Sequence, residues 1–226
     1  MKTNKSDKSQ CLERINSAIY LNNTRGAKGR KDRDSECDDL LMKYFYECDY
    51  ASSKSMAIFL AFSDVTTTLI QAIESYRYGQ FDASMVMVRN AIDASTYISI
   101  VYDLNYDASL NRINSVSPRG SMMEYKKFKD WPKRKAEIIR KGFLSPKELD
   151  RLHEIREKGN FSAHYFEIKR DKFHEYVKKI AELEKPQPGL PKQYTSESEV
   201  KVVLNAVVTT LMKLHENYAK YYNVPM

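Results

Sequence analysis

Long apolar runs are missing from this 226-residue chain. The longest, MAIFLAFSDVTTTLIQAI, is interrupted by Asp64 and three threonines, so no membrane span is predicted. The first residues, MKTNKSDKSQ, have no apolar signal core, and a cytoplasmic location is the expectation. Glycine and proline are scarce, seven of each, which argues against a sandwich or barrel built on many tight turns. Cysteine is scarcer still. Cys11, Cys37 and Cys48 lie early, are odd in number and have no ligand-like spacing, which excludes a disulfide framework and a zinc site. There is no P-loop, no glycine-rich dinucleotide turn, no HExxH helix and no serine elbow. His153, His164, His174 and His215 lack carboxylates or cysteines at ligand spacing, so neither metal nor cofactor is expected.

What is present suits a soluble helical protein. Apolar residues make up 42% and charged residues 30%, enough for a real core under a polar surface. The net charge of +7 is unevenly spread. YKKFKDWPKRKAEIIRK, residues 125 to 141, carries eight basic and two acidic residues, and residues 1 to 34 carry nine and four. In the first of these, Lys126, Lys127, Lys129, Lys133, Arg134 and Lys135 alternate with aromatics that include Trp131. Such a pattern suits a phosphate backbone and stacked bases, and equally a solvated helix face.

Hydrophobic spacing predicts an all-α bundle of five to seven helices, residues 37 to 226, behind a basic, polar and partly mobile arm, residues 1 to 36. Ile58, Phe62, Val65, Leu69, Ala72 and Tyr76 alternate by four and three, a helix seam. Gly79 supplies a stop and Asp82 a cap for the next helix, with Phe81 and Val86 as its hydrophobic staple. That helix, roughly 82 to 103, is apolar on more than one face and should lie centrally. Residues 104 to 143 read as less regular. LSPKELDRL then gives a strong helix start: Ser145 caps, Pro146 opens, Glu148 reciprocates, and Leu144 with Leu149 forms the staple. A helix near 170 to 185 follows, then the loop KPQPGLPKQ. The last helix starts near Ser196, with the seam Val200, Leu204, Val207, Leu211, Leu214, Tyr218 and Tyr221.

Two places in this pattern carry polar groups that packing does not require. Arg89 and Asp93 stand four apart in the central helix, as an ion pair on a partly exposed edge or as the margin of a polar pocket. REKGNFSAHY places Arg156, Asn160 and His164 at four-residue intervals, a cation, an amide and a titratable ring. Gly159 is expected to end or bend the helix there, leaving Asn160 to cap a new turn that bears His164. Histidine titrates near neutrality and can move a proton without metal, while arginine grips phosphate with two donors. Those parts suffice for metal-independent RNA cleavage, and also for phosphate binding alone.

The stretches YRYGQFDASMVMVRNAIDASTYISI and LHEIREKGNFSAHY resemble the HEPN superfamily, in particular its poorly characterised prokaryotic branches. The first supplies an arginine followed by an acidic residue, here Arg89 and Asp93. The second supplies the pattern Arg, two residues, Gly-Asn, three residues, His, here Arg156, Gly159, Asn160 and His164. The resemblance implies a HEPN-like helical bundle, a homodimer with both motifs lining one basic cleft, and RNA as partner. It implies a metal-independent endoribonuclease of toxin–antitoxin or phage-defence type, with a cognate inhibitor protein among its partners. His164 would be the acid/base, Asn160 the polar helper and Arg156 the phosphate-binding cation, with Arg89 and Asp93 in support. The alternative is a non-catalytic HEPN-like module binding RNA, a nucleotide or a protein partner.

Overall fold

The computed structural model describes residues 30–46, 62–110, 112–118, 128–163 and 195–224. Among them are six helices: α1 (Arg30–Tyr46), α2 (Ser63–Arg77), α3 (Phe81–Val101), α4 (Trp131–Arg140), α5 (Pro146–Ala163) and α6 (Glu197–Tyr221). One antiparallel hairpin, β1 (Tyr102–Asp107) and β2 (Arg112–Pro118), follows α3. The protein is an all-α bundle. None of these helices is long and apolar enough to cross a membrane. The expected helix at 170 to 185, the KPQPGLPKQ loop, Ile58, Cys11 and Cys48 lie outside the described residues.

Helix α3 is the axis of the bundle, packed on α2, α4, α5 and α6. Its several apolar faces require such a position, and Met85, Val88, Ala91, Ile92 and Ile100 are all buried. Small polar side chains lie among them. Ser84 donates to the Ala72 carbonyl at 2.7 Å and Thr96 to Ile92 at 2.7 Å, so the buried hydroxyls are satisfied. Phe62, at the start of α2, and Val65, Leu69, Ala72 and Tyr76 along it are buried, as the alternation of four and three predicts. On α6, Val200 through Tyr218 of the predicted seam are buried, while Tyr221 is exposed. His215 also faces the core of α6. Its ring stacks on Phe62 at 3.9 Å and Nε2 meets the Ser95 hydroxyl at 2.9 Å.

Most helix ends follow their local chemistry. Gly79 takes φ +72° and its N–H reaches the Tyr76 carbonyl at 2.9 Å, ending α2. Asp82 does not cap α3, which already begins at Phe81. Its carboxylate instead accepts the Thr195 N–H at 2.9 Å, anchoring the approach to α6. At α5 the reciprocal cap is formed: the Ser145 N–H donates to Glu148 at 2.8 Å and the Glu148 N–H to the Ser145 hydroxyl at 3.4 Å. Leu144 and Leu149 are both buried. The Ser196 hydroxyl accepts from the Glu199 N–H at 3.3 Å and caps α6.

Two regions differ from the sequence reading. Helix α1 crosses the expected arm boundary at 36/37, and Arg33 is buried. The Arg33 guanidinium donates to the Arg77 carbonyl at the C-terminus of α2 and to Glu197 at the start of α6, both at 3.2 Å. The less regular stretch after Val101 folds into the hairpin, where Leu104 opposite Val116 provides the inward side chains. Asp107 accepts the Ser109 and Leu110 N–H groups at 2.9 and 3.2 Å, an Asx turn that reverses the chain. The hairpin then docks on α6, the Tyr218 hydroxyl donating to the Tyr102 carbonyl at 3.0 Å.

Candidate functional site: an arginine cluster around Asp93

Gly159 sets the geometry of the site. Helix α5 runs unbroken through it to Ala163, so the expected end or bend is absent. A Cβ at this position would lie 2.5 Å from the Arg89 Cβ and 2.6 Å from the Met85 carbonyl oxygen. Glycine is therefore the residue that lets α5 cross closely over α3; its reason is packing, not termination. Asn160 caps nothing. It continues the helix, one turn after Arg156.

This close crossing brings the two polar pairs together. Arg156 Nε donates to Asp93 Oδ1 at 2.8 Å across 63 residues of sequence. Arg89 Nε approaches the other oxygen of Asp93 at 3.6 Å, an ion pair too long to be a hydrogen bond. Arg134, from α4, donates to Asp93 Oδ1 at 2.9 Å. One carboxylate thus holds three guanidiniums. Arg156 also donates to Glu157 at 2.6 Å, and Asn160 Nδ2 donates to the same Glu157 oxygen at 3.0 Å. Three cations against two carboxylates leave one positive charge over.

The basic segment divides between surface and interior. Lys129 and Lys133 are exposed, Lys133 pairing with Asp130 at 3.2 Å, and Lys135 pairs with Asp150. Arg134 and Trp131 turn inward and are buried. Arg134 donates to the Phe128 carbonyl at 3.1 Å, the Lys129 carbonyl at 3.3 Å and the Thr96 hydroxyl at 3.1 Å besides Asp93. Burial draws its pKa downward, against the pull of Asp93, yet a guanidinium stays protonated. Trp131 carries the guanidiniums of Arg134 and Arg156 within 5.7 and 5.6 Å of its ring centre. Lys126, Lys127 and His164 lie outside the described residues; α5 is described up to the residue before His164.

Sequence reasoning missed two members, Glu157, which accepts from Arg156 and Asn160, and His153. His153, one turn before Arg156 on α5, stacks on Trp131 with centroids 5.1 Å apart and planes 14° apart. Its Nδ1 lies 4.0 Å from Glu157 Oε1. The available signal was its offset of three from Arg156, which puts the two on neighbouring helix rows. Among the described residues, no three His, Cys, Asp or Glu side chains gather to hold a metal ion. Chemically, the cluster offers fixed guanidinium donors, an amide and an aromatic pair, an arrangement suited to a phosphate with an attached ring. Compared with protein-family models, with curated proteins and with solved structures, the chain matches none.

Proposed function

We propose that this chain is a metal-independent endoribonuclease of HEPN type, acting as a homodimer on RNA. The observation that carries the reading is the 2.8 Å hydrogen bond from Arg156 to Asp93. It joins the two sequence blocks on which the family resemblance rests. In the proposed reaction the RNA 2′-hydroxyl attacks the adjacent phosphorus. The bond to the leaving 5′ oxygen breaks, giving a cyclic phosphate and a free hydroxyl. His164 takes the proton from the attacking hydroxyl, and a protonated histidine of the second copy returns one to the leaving oxygen. Arg156 and Arg89 stabilise charge developing on the phosphoryl oxygens, and Asn160 orients the phosphate. Lys129 and Lys133, continuing the run begun by Lys126 and Lys127, attract the RNA backbone, with Lys135 beside them. Arg134 and Trp131 serve as the inner wall that holds Arg156.

The test is cleavage of labelled RNA in excess chelator. Wild type should cut, and His164→Ala should lose roughly 100-fold or more of the rate, with Arg156→Ala similarly impaired while still folded. Mass by light scattering at micromolar protein should be that of a dimer, with α3 and α5 at the two-fold contact; a monomer would remove the composite cleft. A toxin or phage-defence role, restrained by a cognate inhibitor protein, predicts growth arrest on induction of wild type but not of His164→Ala.

One observation favours a second reading. Arg156 is held by two carboxylates, Asp93 and Glu157, and so resembles a structural cation as much as a reactive one. A non-catalytic module that binds RNA through the same face predicts retained RNA binding and no cleavage in wild type.

A further inference from the structure

The His153–Trp131 stack has no part in the proposed cleavage step. Trp131 is buried, 8% exposed, and its Nε1 has no hydrogen-bond partner. His153 covers one face of it in a near-parallel stack. The His153 side chain is 40% exposed although its Nδ1 is buried. With Nδ1 inside and one face on Trp131, that exposure belongs to the rest of the ring. A flat, solvent-facing ring is thus held at fixed tilt by a buried indole. It stands three residues from Arg156, whose guanidinium lies 5.6 Å from the same indole.

We infer that the outer face of His153 is a nucleobase-stacking platform, placed so that a base rests on the ring while its phosphate reaches Arg156. This deepens the RNA reading of the site and rests on it. Every base has a flat π face, so such a platform accepts RNA with little sequence preference. The backing indole matters because a ring already immobilised loses little rotamer freedom when the base arrives.

The chain contains one tryptophan, Trp131, so its emission reports this stack alone. The full chain is titrated with adenosine monophosphate, with ribose phosphate, and with a short 2′-O-methyl oligoribonucleotide that cannot be cleaved. Adenosine monophosphate and the oligonucleotide should change Trp131 emission, and ribose phosphate should not. The oligonucleotide binding much more tightly than the mononucleotide identifies RNA as the source of the base; equal affinities identify a free nucleotide. His153→Ala should weaken oligonucleotide binding about tenfold, and His153→Phe, which keeps a flat ring, should restore it. An emission response equal for ribose phosphate and adenosine monophosphate overturns the platform. So does binding by a folded His153→Ala that matches wild type. The wild-type titrations decide the matter even where the alanine variant does not fold. Failure of the ribonuclease reading is separate: it appears as absent cleavage with the stacking response intact.

Discussion

Asp93 is the residue on which the candidate site depends. It is one-quarter exposed, yet it is the carboxylate that Arg89, Arg134 and Arg156 share. Arg134 has almost no solvent of its own, with its side chain 7% exposed. Asp93→Asn keeps the shape and removes the charge, leaving a buried guanidinium without compensation. Fully buried pairs broken in this way cost about 3–5 kcal/mol, and the remaining exposure of Asp93 brings the expectation down to about 2–3 kcal/mol. Urea denaturation should show that loss as a lower midpoint with unchanged slope. A change under about 0.5 kcal/mol would mean that the carbonyls of Phe128, Lys129 and Asp93 and the Thr96 hydroxyl satisfy Arg134 without the charge. The two halves of the cluster differed in legibility. The Arg89–Asp93 pair was readable because helical spacing of four is visible in sequence, whereas Arg134 looked like one basic residue in a run of eight. Its inward turn follows from Trp131 and Ile138, whose burial fixes which face of α4 meets α3. No local pattern announces that.

The elements show why some sequence signals are dependable and others are not. Seams in α2 and α6, the reciprocal cap of α5 and the start of α6 near Ser196 were all legible, because each follows from a local pattern. The hairpin was not, since its strands are short and much of β2 is exposed, so alternation is weak. Gly159 was the instructive error. Its cost to an isolated helix points to a break, but contact with α3 overrides propensity, and that contact is invisible until two helices are placed. Substitution can separate the two explanations by sign. Propensity alone has Gly159→Ala stabilise α5 by about 1 kcal/mol. The crossing puts the new methyl against a backbone oxygen of Met85, which cannot yield as a flexible side chain does. Overpacking of this kind costs about 1–3 kcal/mol, so net destabilisation of up to about 2 kcal/mol is expected. Chemical denaturation of the purified variant checks it, and any gain in stability would refute the close-packing role. If the proposed RNA reading holds, the same variant should weaken RNA binding, because pushing α5 from α3 separates Arg156 from Asp93.

For the molecule as a whole, the histidine that bears on stability is not one of those in the proposed site. His164 and His153 belong to the proposed RNA face, whereas His215 is buried in the core. It links α6 to α3 through Ser95, to the start of α2 through Phe62, and to α1 through the Tyr44 ring 6.4 Å away. None of these neighbours carries a charge, and Nδ1 has no hydrogen-bond partner. Burial pushes its pKa down to about 3 from an ordinary 6.5. The unfolded chain therefore takes up this proton first as pH falls. Stability from His215 is complete above pH 6.5 and is lost between there and about 3, at up to about 1.4 kcal/mol per pH unit. Acidic groups enter the titration later. At Glu148, burial pushes the pKa up but is outweighed by hydrogen bonds from Lys213 and Ser145, which bring it to about 2. Its contribution starts to fade only as pH falls through the ordinary 4.5. The interval from pH 6.5 down to 4.5 thus isolates histidine, and over it the wild-type protein should lose about 2–3 kcal/mol through His215. His215→Gln, less stable at neutral pH because it gives up the ring stack, should show a slope shallower by that amount. Parallel pH profiles for the two proteins would mean that His215 is reached by water or by an unrecognised partner, and that the centre of the bundle is more open than its packing indicates.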